Sequence, residues 1–319
     1  MALSEQTRLL FLVGPTATGK TAVAVDLCEK IHGEIVGADS VQVYRGLNIG
    51  SAKPTPEMLR GIRHHMIDVA DPDQPLDAAA FARLAEGAIE QVISRGAAPV
   101  VVGGTGLWIR ALIRGLVKVP PVDRELRAKL QREWLELGPA AMHKRLSEVD
   151  PRSAARIHVN DQTRVVRALE VYEQCGRPVG ELRAEHALGS PRYRTLVFNL
   201  DIPRELLNER LRLRTRRMIE AGWADEVRAL VKKYGPGVRS LRSVGYRQML
   251  NHVVDSEPLE VTEQKIAIAT RQYARRQRTW FQSDPDIDAT MTPEEVLSDA
   301  TLERIEEFMS NSGSKRRGK

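Results

Sequence analysis

Two kinds of apolar pattern alternate along this chain. Residues 9–13, 34–38, 99–102 and 195–200 are short, nearly unbroken apolar runs, as expected of strands covered on both faces. Between them apolar residues recur every three or four positions, as in residues 22–27 and at Phe81, Leu84, Ala85, Ala88, Ile89 and Val92. That spacing belongs to helices with one buried side. The punctuation agrees: Asp77 stands where an N-cap belongs, Gly96 where a helix stops, and Thr55-Pro56-Glu57 reads as a helix start. Residues 65–69 read as a further strand and 107–113 as a helix. This alternation predicts an α/β fold built on a parallel, doubly wound sheet.

The alternation lapses after Gly115. Pro120-Pro121 marks a break, and residues 125–137, 140–148 and 163–174 are helical in pattern with no strand run among them. The strand signal returns at residue 195, followed by helical stretches over 204–221, 224–234 and 262–281. The expected organisation is a core over 1–118, an all-helical insertion over 119–193, a second core part with basic helices over 194–289, and a C-terminal tail over 290–319. Within that tail, 293–309 is amphipathic, and 310–319 is too polar to pack and is expected to be disordered.

Composition narrows the class. At 319 residues, 42% hydrophobic and 28% charged, the chain suits one globular core with an insertion. No apolar run approaches the ~18 residues of a membrane span. Cys28 and Cys175 lie far apart and outside any C-x-x-C spacing. They point to a reducing, cytoplasmic setting and to no zinc site. The net charge of +6 is unevenly placed: residues 201–250 hold twelve Lys/Arg against six Asp/Glu, and 270–281 hold four arginines and no acid. Such a surface suits a polyanion, nucleic acid being the commonest, although a solvated helix face gives the same count.

The most informative stretch is Gly14-Pro15-Thr16-Ala17-Thr18-Gly19-Lys20-Thr21, between the first strand and the first helix. It fits the phosphate-binding loop (P-loop) G-x-x-x-x-G-K-[ST] in the context that motif needs. Backbone N–H groups turn inward around an anion and the helix start points at it. Lys20 adds a full charge, and Thr21 offers a hydroxyl to phosphate-bound Mg²⁺. In a nucleotide-driven motor or switch a second strand ends in a metal-binding Asp. Here the apolar strand 99–102 ends instead in Gly103-Gly104-Thr105-Gly106, which lowers the ATPase and GTPase readings.

The neighbouring strand presents Asp39, either a general base beside a diphosphate or, with Ser40, the cap of a turn. Thr105 is a helix N-cap or a site hydroxyl. Arg210, Arg214 and Met218, spaced by four, share one helix face that directs guanidinium groups at a diphosphate or at solvent. In residues 270–281 arginines interleave with aromatics, a composition for backbone contacts and base stacking; Trp280 and Phe281 serve equally as core anchors. His64 and His65 lack metal-ligand spacing and read as structural. The residues alone leave open a group-transfer enzyme, a small-molecule kinase and a non-catalytic RNA-binding protein.

Taken in order, these motifs resemble the bacterial tRNA dimethylallyltransferase (tRNA isopentenyltransferase) family, which prenylates the adenosine beside the anticodon. The matching residues are Gly14 to Thr21, Asp39-Ser40-Val41-Gln42-Val43-Tyr44-Arg45, Ser51-Ala52-Lys53-Pro54, His64-His65 and Gly103-Gly104-Thr105-Gly106-Leu107. They continue with Asp123 to Arg127, Arg164, Arg167-Ala168-Leu169-Glu170, Gly245-Tyr246-Arg247-Gln248 and Thr270 through Trp280. Two departures from the family pattern stand out: Ala79-Ala80 replace Ser-Val, and Thr163 stands where Gln is common. Adenylate isopentenyltransferases share the core motifs; the intact 245–248 and 271–280 segments favour the tRNA branch.

The resemblance implies that the P-loop, Gly14 to Thr21, holds the diphosphate of dimethylallyl diphosphate together with Arg214, with Mg²⁺ on Thr21. It implies Asp39, Thr105 and Lys20 as catalytic residues, Asp39 taking the proton from adenine N6. A carboxylate is a weak base for a neutral amine, and it suffices because the amine acidifies as it attacks. The implied contacts to the tRNA anticodon stem-loop are Asp39, Ser40, Val41, Gln42, Thr105, Arg127, Gln162, Thr163, Arg164, Val165, Val166, Arg242, Gly245, Tyr246, Arg247, Arg275, Arg276, Gln277, Arg278 and Trp280. The adenine leaves its loop stack to react, and the insertion closes over the anticodon arm. The protein is expected to act as a cytoplasmic monomer away from membranes.

Overall fold

The computed structural model describes residues 3–187 and 190–310. Its core is one six-stranded, all-parallel sheet in the order β3-β2-β4-β1-β5-β6. The strands are β1 (Arg8–Val13), β2 (Gly33–Ala38), β3 (His64–His65), β4 (Ala98–Gly103), β5 (Arg194–Leu200) and β6 (Ala289–Met291). In register, Leu10 to Val13 of β1 face Val100 to Gly103 on one side, and the same strand faces Arg194 to Asn199 on the other. The apolar runs are continuous because each strand is covered twice. Leu9, Phe11 and Val13 pack with α2 (Ala78–Ser94) and α3 (Gly106–Arg114) on one face. Leu10 and Leu12 pack with α1 (Lys20–Ile31) on the other. Alternate residues of one strand thereby serve two cores.

The chain forms two compact units, residues 1–113 with 191–319, and residues 114–190. The second is all-helical: α4 (Arg124–Val149), α5 (Gln162–Cys175) and α6 (Val179–Ala187), with a core of Leu130, Trp134, Met142, Leu146, Val165 and Leu169. Gly138 (φ 81°, ψ 167°) followed by Pro139 breaks α4, so the two helices expected over 125–137 and 140–148 are both present. In the first unit α7 (Arg204–Glu220), α8 (Trp223–Tyr234), α9 (Tyr246–Asp255) and α10 (Leu259–Gln282) follow β5. No helix among the described residues is long and apolar enough to cross a membrane.

Two expectations need correction. The strand predicted over 65–69 is only His64–His65, because Met66 (φ 66°) and Asp68 (φ 55°) take left-handed backbone that leaves the ladder. The stretch from residue 290 is helical over the amphipathic part, as expected for 293–309, but it also holds a strand that the apolar pattern missed. Asn199 and Leu200 pair with Thr290 and Met291, and α11 (Asp299–Ser310) places Ile305, fully buried, in the core beneath α1. Of the 310–319 stretch expected to be disordered, Ser310 ends α11, and 311–319 lie outside the described residues.

Candidate active site

The carboxyl ends of β1, β2 and β4 converge, which is where an open α/β sheet binds ligands. Gly14 leaves β1 at φ 139°, and a Cβ there would stand 2.4 Å from the Leu200 carbonyl oxygen, so only glycine fits. Gly19 caps α1 in left-handed backbone and Lys20 is its first residue. Lys20 Nζ donates to the Pro15 carbonyl at 2.6 Å, and the buried Thr18 hydroxyl donates to the same oxygen at 2.9 Å. Burial pushes the Lys20 ammonium down to about 7; Arg214 presses the same way and Asp39 opposes. Burial likewise lowers Arg214, against the pull of Asp39. Two cations share a partly dry site with one carboxylate, an arrangement short of negative charge.

Long-range contacts fix the walls. Thr16 N donates to Gln277 Oε1 (2.9 Å), while Gln277 Nε2 donates to the Gly104 carbonyl (2.8 Å). One buried amide from α10 therefore ties the P-loop to the 103–106 turn. From α7, Arg214 Nη2 donates to the Ser51 carbonyl (3.2 Å) and Arg210 Nη1 reaches the Thr18 carbonyl at 3.5 Å.

Asp39 follows directly on β2. Its Oδ1 accepts from the backbone N–H groups of Val41 (2.8 Å) and Gln42 (3.2 Å), so it does cap the turn. The same carboxylate acts electrostatically on Lys20, Arg214 and Tyr273, so the turn presents it to the cations. Thr105 sends its hydroxyl to the neighbouring strand end, accepting from Ser40 N at 3.1 Å, and it neighbours the Tyr273 hydroxyl. Burial and, next, Asp39 push the Tyr273 phenol up to about 12. Sequence reasoning passed over Tyr273, although it precedes Gln277 by four and Trp280 by seven on one helix face; that periodicity was the available signal.

The other named residues separate into exposed and enclosed. Arg242, Arg247, Arg275 and Arg276 are exposed, Arg276 lying 5.9 Å from the Tyr273 ring. Arg278 is held within the chain, donating to Asp201 Oδ2 (2.8 Å) and the Ile202 carbonyl (2.7 Å). Gln42 gives its amide to the Ser51 and Ala52 carbonyls at 3.2 and 3.3 Å. Trp280 packs against the core beneath Arg110, which lies 4.5 Å from its ring. Tyr246 is fully buried with its hydroxyl on Glu226 Oε1 (2.6 Å), and Gly245 N donates to Gln248 Oε1 (2.9 Å).

Within the helical unit, Thr163 and Arg164 are exposed and Gln162 half-buried, on a helix start capped by Asp161. Val165 and Val166 lie in that unit's core. Arg127 Nε donates to the wholly buried Glu170 at 3.0 Å. The side chains of Val165, Val166, Tyr246 and Gln277 thus serve the fold, and any contact of theirs with RNA runs through backbone or through neighbours they position.

No cluster of three or more His, Cys, Asp or Glu among the described residues could hold a metal. A Mg²⁺ ion fits this donor set in one way: arriving on a diphosphate, with the half-buried Thr21 as a hydroxyl ligand.

Comparison with known proteins decides the kinship. The family model described as IPP transferase matches residues 42–284. The chain belongs to the IPP transferase family. It is 46% identical over 292 residues to tRNA dimethylallyltransferase 1 of Pelobacter propionicus, covering 91% of this chain and 94% of that protein. It is 40% identical to the tRNA dimethylallyltransferase of Geobacter sulfurreducens, covering 93% and 96%. Among solved structures it resembles the full-length tRNA isopentenylpyrophosphate transferase of Bacillus halodurans (TM-score 0.67, 34% identity, 96% of each chain). It also resembles a eukaryotic dimethylallyltransferase captured acting on tRNA (TM-score 0.79, 26% identity, 98% of this chain and 82% of that one). The all-parallel α/β fold and the membership of an enzyme family therefore agree with the sequence reading.

Proposed function

We propose that this IPP transferase-family member moves the dimethylallyl group of dimethylallyl diphosphate to N6 of the adenosine beside the anticodon of tRNA, releasing diphosphate. One observation carries the reading: Lys20, Arg214 and Asp39 share a single partly dry site at the end of the sheet. Cations to take up a leaving diphosphate and a carboxylate to take up a proton are what an N-alkylation needs together. The kinship to curated tRNA dimethylallyltransferases supplies the substrate classes.

In the reaction, C1 of the allyl group loses its bond to the diphosphate oxygen and gains one to N6. The electron pair leaves with the diphosphate, and the N6 proton goes to Asp39. Lys20, the amides of residues 14–21 and Arg214 face the growing negative charge; one such donor typically contributes 10²–10³-fold. Thr105, fixed between Ser40 and Tyr273, holds the acceptor base beside Asp39. Mg²⁺, when bound at Thr21, supplies further neutralisation of the diphosphate. We assign the phosphate contacts of the tRNA to the exposed Arg242, Arg247, Arg275 and Arg276, and further contacts to Arg127, Gln162, Thr163 and Arg164 of the helical unit, taken as a separate domain.

The test is incubation with tRNA and radiolabelled dimethylallyl diphosphate in the absence of ATP. Label entering tRNA is the expected result. A requirement for nucleotide would make the protein a kinase, and tRNA binding without transfer would make it a non-catalytic binder.

A further inference from the structure

A carboxylate outside this site collects an unusual number of donors. Glu226 on α8 accepts the backbone N–H groups of Asn48 (2.8 Å) and Ile49 (2.6 Å) on Oε2, and that of Gly50 (3.2 Å) on Oε1. The Tyr246 hydroxyl, at the first turn of α9, donates to the same Oε1 at 2.6 Å. Three successive N–H groups turned toward one anion form the nest that proteins use for phosphate. Here the chain fills it with its own side chain, so the nest has a structural consequence and binds no ligand.

That consequence leads to the diphosphate side. The next residue, Ser51, offers its carbonyl to Arg214 Nη2 (3.2 Å) and to Gln42 Nε2 (3.2 Å). The Ser51 hydroxyl closes the turn on the Leu47 carbonyl at 2.6 Å. Arg214 therefore takes its direction from a carbonyl whose turn is pinned from 176 residues away in sequence. Through Tyr246 the same carboxylate also fixes the start of the helix that carries the exposed Arg247.

We infer that Glu226 is a positioning residue for the transfer reaction: by holding the 48–51 turn it aims the Arg214 guanidinium at the diphosphate. This rests on the reading of Arg214 as a diphosphate ligand, and the experiment separates the two. Dissociation constants for inorganic diphosphate are measured by calorimetry on the full chain for wild type, Glu226→Gln, Arg214→Ala and the double variant. An amide cannot accept from all four donors, so Glu226→Gln should weaken binding about tenfold, the scale of a lost hydrogen bond to a charged group. Arg214→Ala should weaken it at least as much, and the double variant should be no weaker than Arg214→Ala alone, because Glu226 acts through Arg214. A residue that only supports the fold would lower the fraction of active protein and leave the dissociation constant unmoved. If Arg214→Ala weakens binding and Glu226→Gln does not, or if the two effects add in full, the inference is overturned. An unchanged affinity in Arg214→Ala would overturn the ligand assignment beneath it, and this inference with it. Should Glu226→Gln not fold, Glu226→Asp keeps the charge but shortens the reach, and is read by the same cycle with a smaller expected loss.

Discussion

Asp39 does two jobs with one carboxylate. Its Oδ1 holds the turn through Val41 N and Gln42 N, and its charge faces Lys20 and Arg214. Asp39→Asn keeps the turn-capping oxygen and removes the ability to take a proton. General-base catalysis contributes ~10²–10⁴-fold, so kcat should fall by that order with KM for both substrates nearly unchanged. A raised KM for tRNA at constant kcat would instead make Asp39 a residue that only places the adenine. Lys20 carries the pH dependence. Its folded value of about 7 lies below the ordinary lysine value because burial disfavours the charge. A bound diphosphate favours that charge and raises the value, so binding takes up a proton. Below about pH 7 the lysine is already charged and this contribution to affinity is level; above it, the dissociation constant for diphosphate should climb up to tenfold per pH unit until the higher value of the complex is reached. Titration calorimetry from pH 6 to 9 measures this, with Lys20→Ala as the control for protons the ligand itself gains or loses. Equal pH dependence in the two proteins would remove Lys20 from the diphosphate site.

At the scale of elements, α10 is the member that closes the site. Gln277 reaches the P-loop and the 103–106 turn at once, across 261 and 173 residues of sequence. Gln277→Ala would strand a Thr16 N–H and a Gly104 carbonyl, each costing ~1–3 kcal/mol when buried. We expect unfolding in denaturant to show a loss of roughly 2–4 kcal/mol, accompanied by a higher KM for dimethylallyl diphosphate. A stability loss without a change in that KM would mean the P-loop holds its shape alone.

The same element shows where sequence reading succeeds and where it stops. The P-loop, Asp39 and Thr105 were legible because each sits at the end of an apolar strand, a pattern contained in a few neighbouring residues. The roles of Gln277 and Glu226 were not, because the backbone groups that each polar side chain holds lie more than a hundred residues away in sequence. β6 escaped notice because Ala-Thr-Met is short and half-polar, and only pairing with β5 makes it a strand. β3 was overdrawn because Met66 and Asp68 lie on left-handed backbone, which no apolar pattern reveals.

For the whole molecule, one α/β unit carries the phosphate loop, the carboxylate and the arginine-rich helices, and a second, helical unit interrupts it in sequence between residues 113 and 191. Part of the excess of positive charge is exposed. Arg242, Arg247, Arg275 and Arg276 reach solvent, whereas Arg278 is neutralised by Asp201. In the proposed reaction an allyl group leaves diphosphate and arrives on a base nitrogen. The direct measurement is to let the intact protein turn over tRNA with dimethylallyl diphosphate, quantify released diphosphate, and digest the tRNA to nucleosides for mass spectrometry. The expected result is N6-dimethylallyladenosine from the position beside the anticodon, one diphosphate released per group transferred, and no product when that adenosine is replaced by guanosine. Dimethylallyl groups on a ribose hydroxyl or a phosphate, or diphosphate released at the same rate without tRNA, would contradict it.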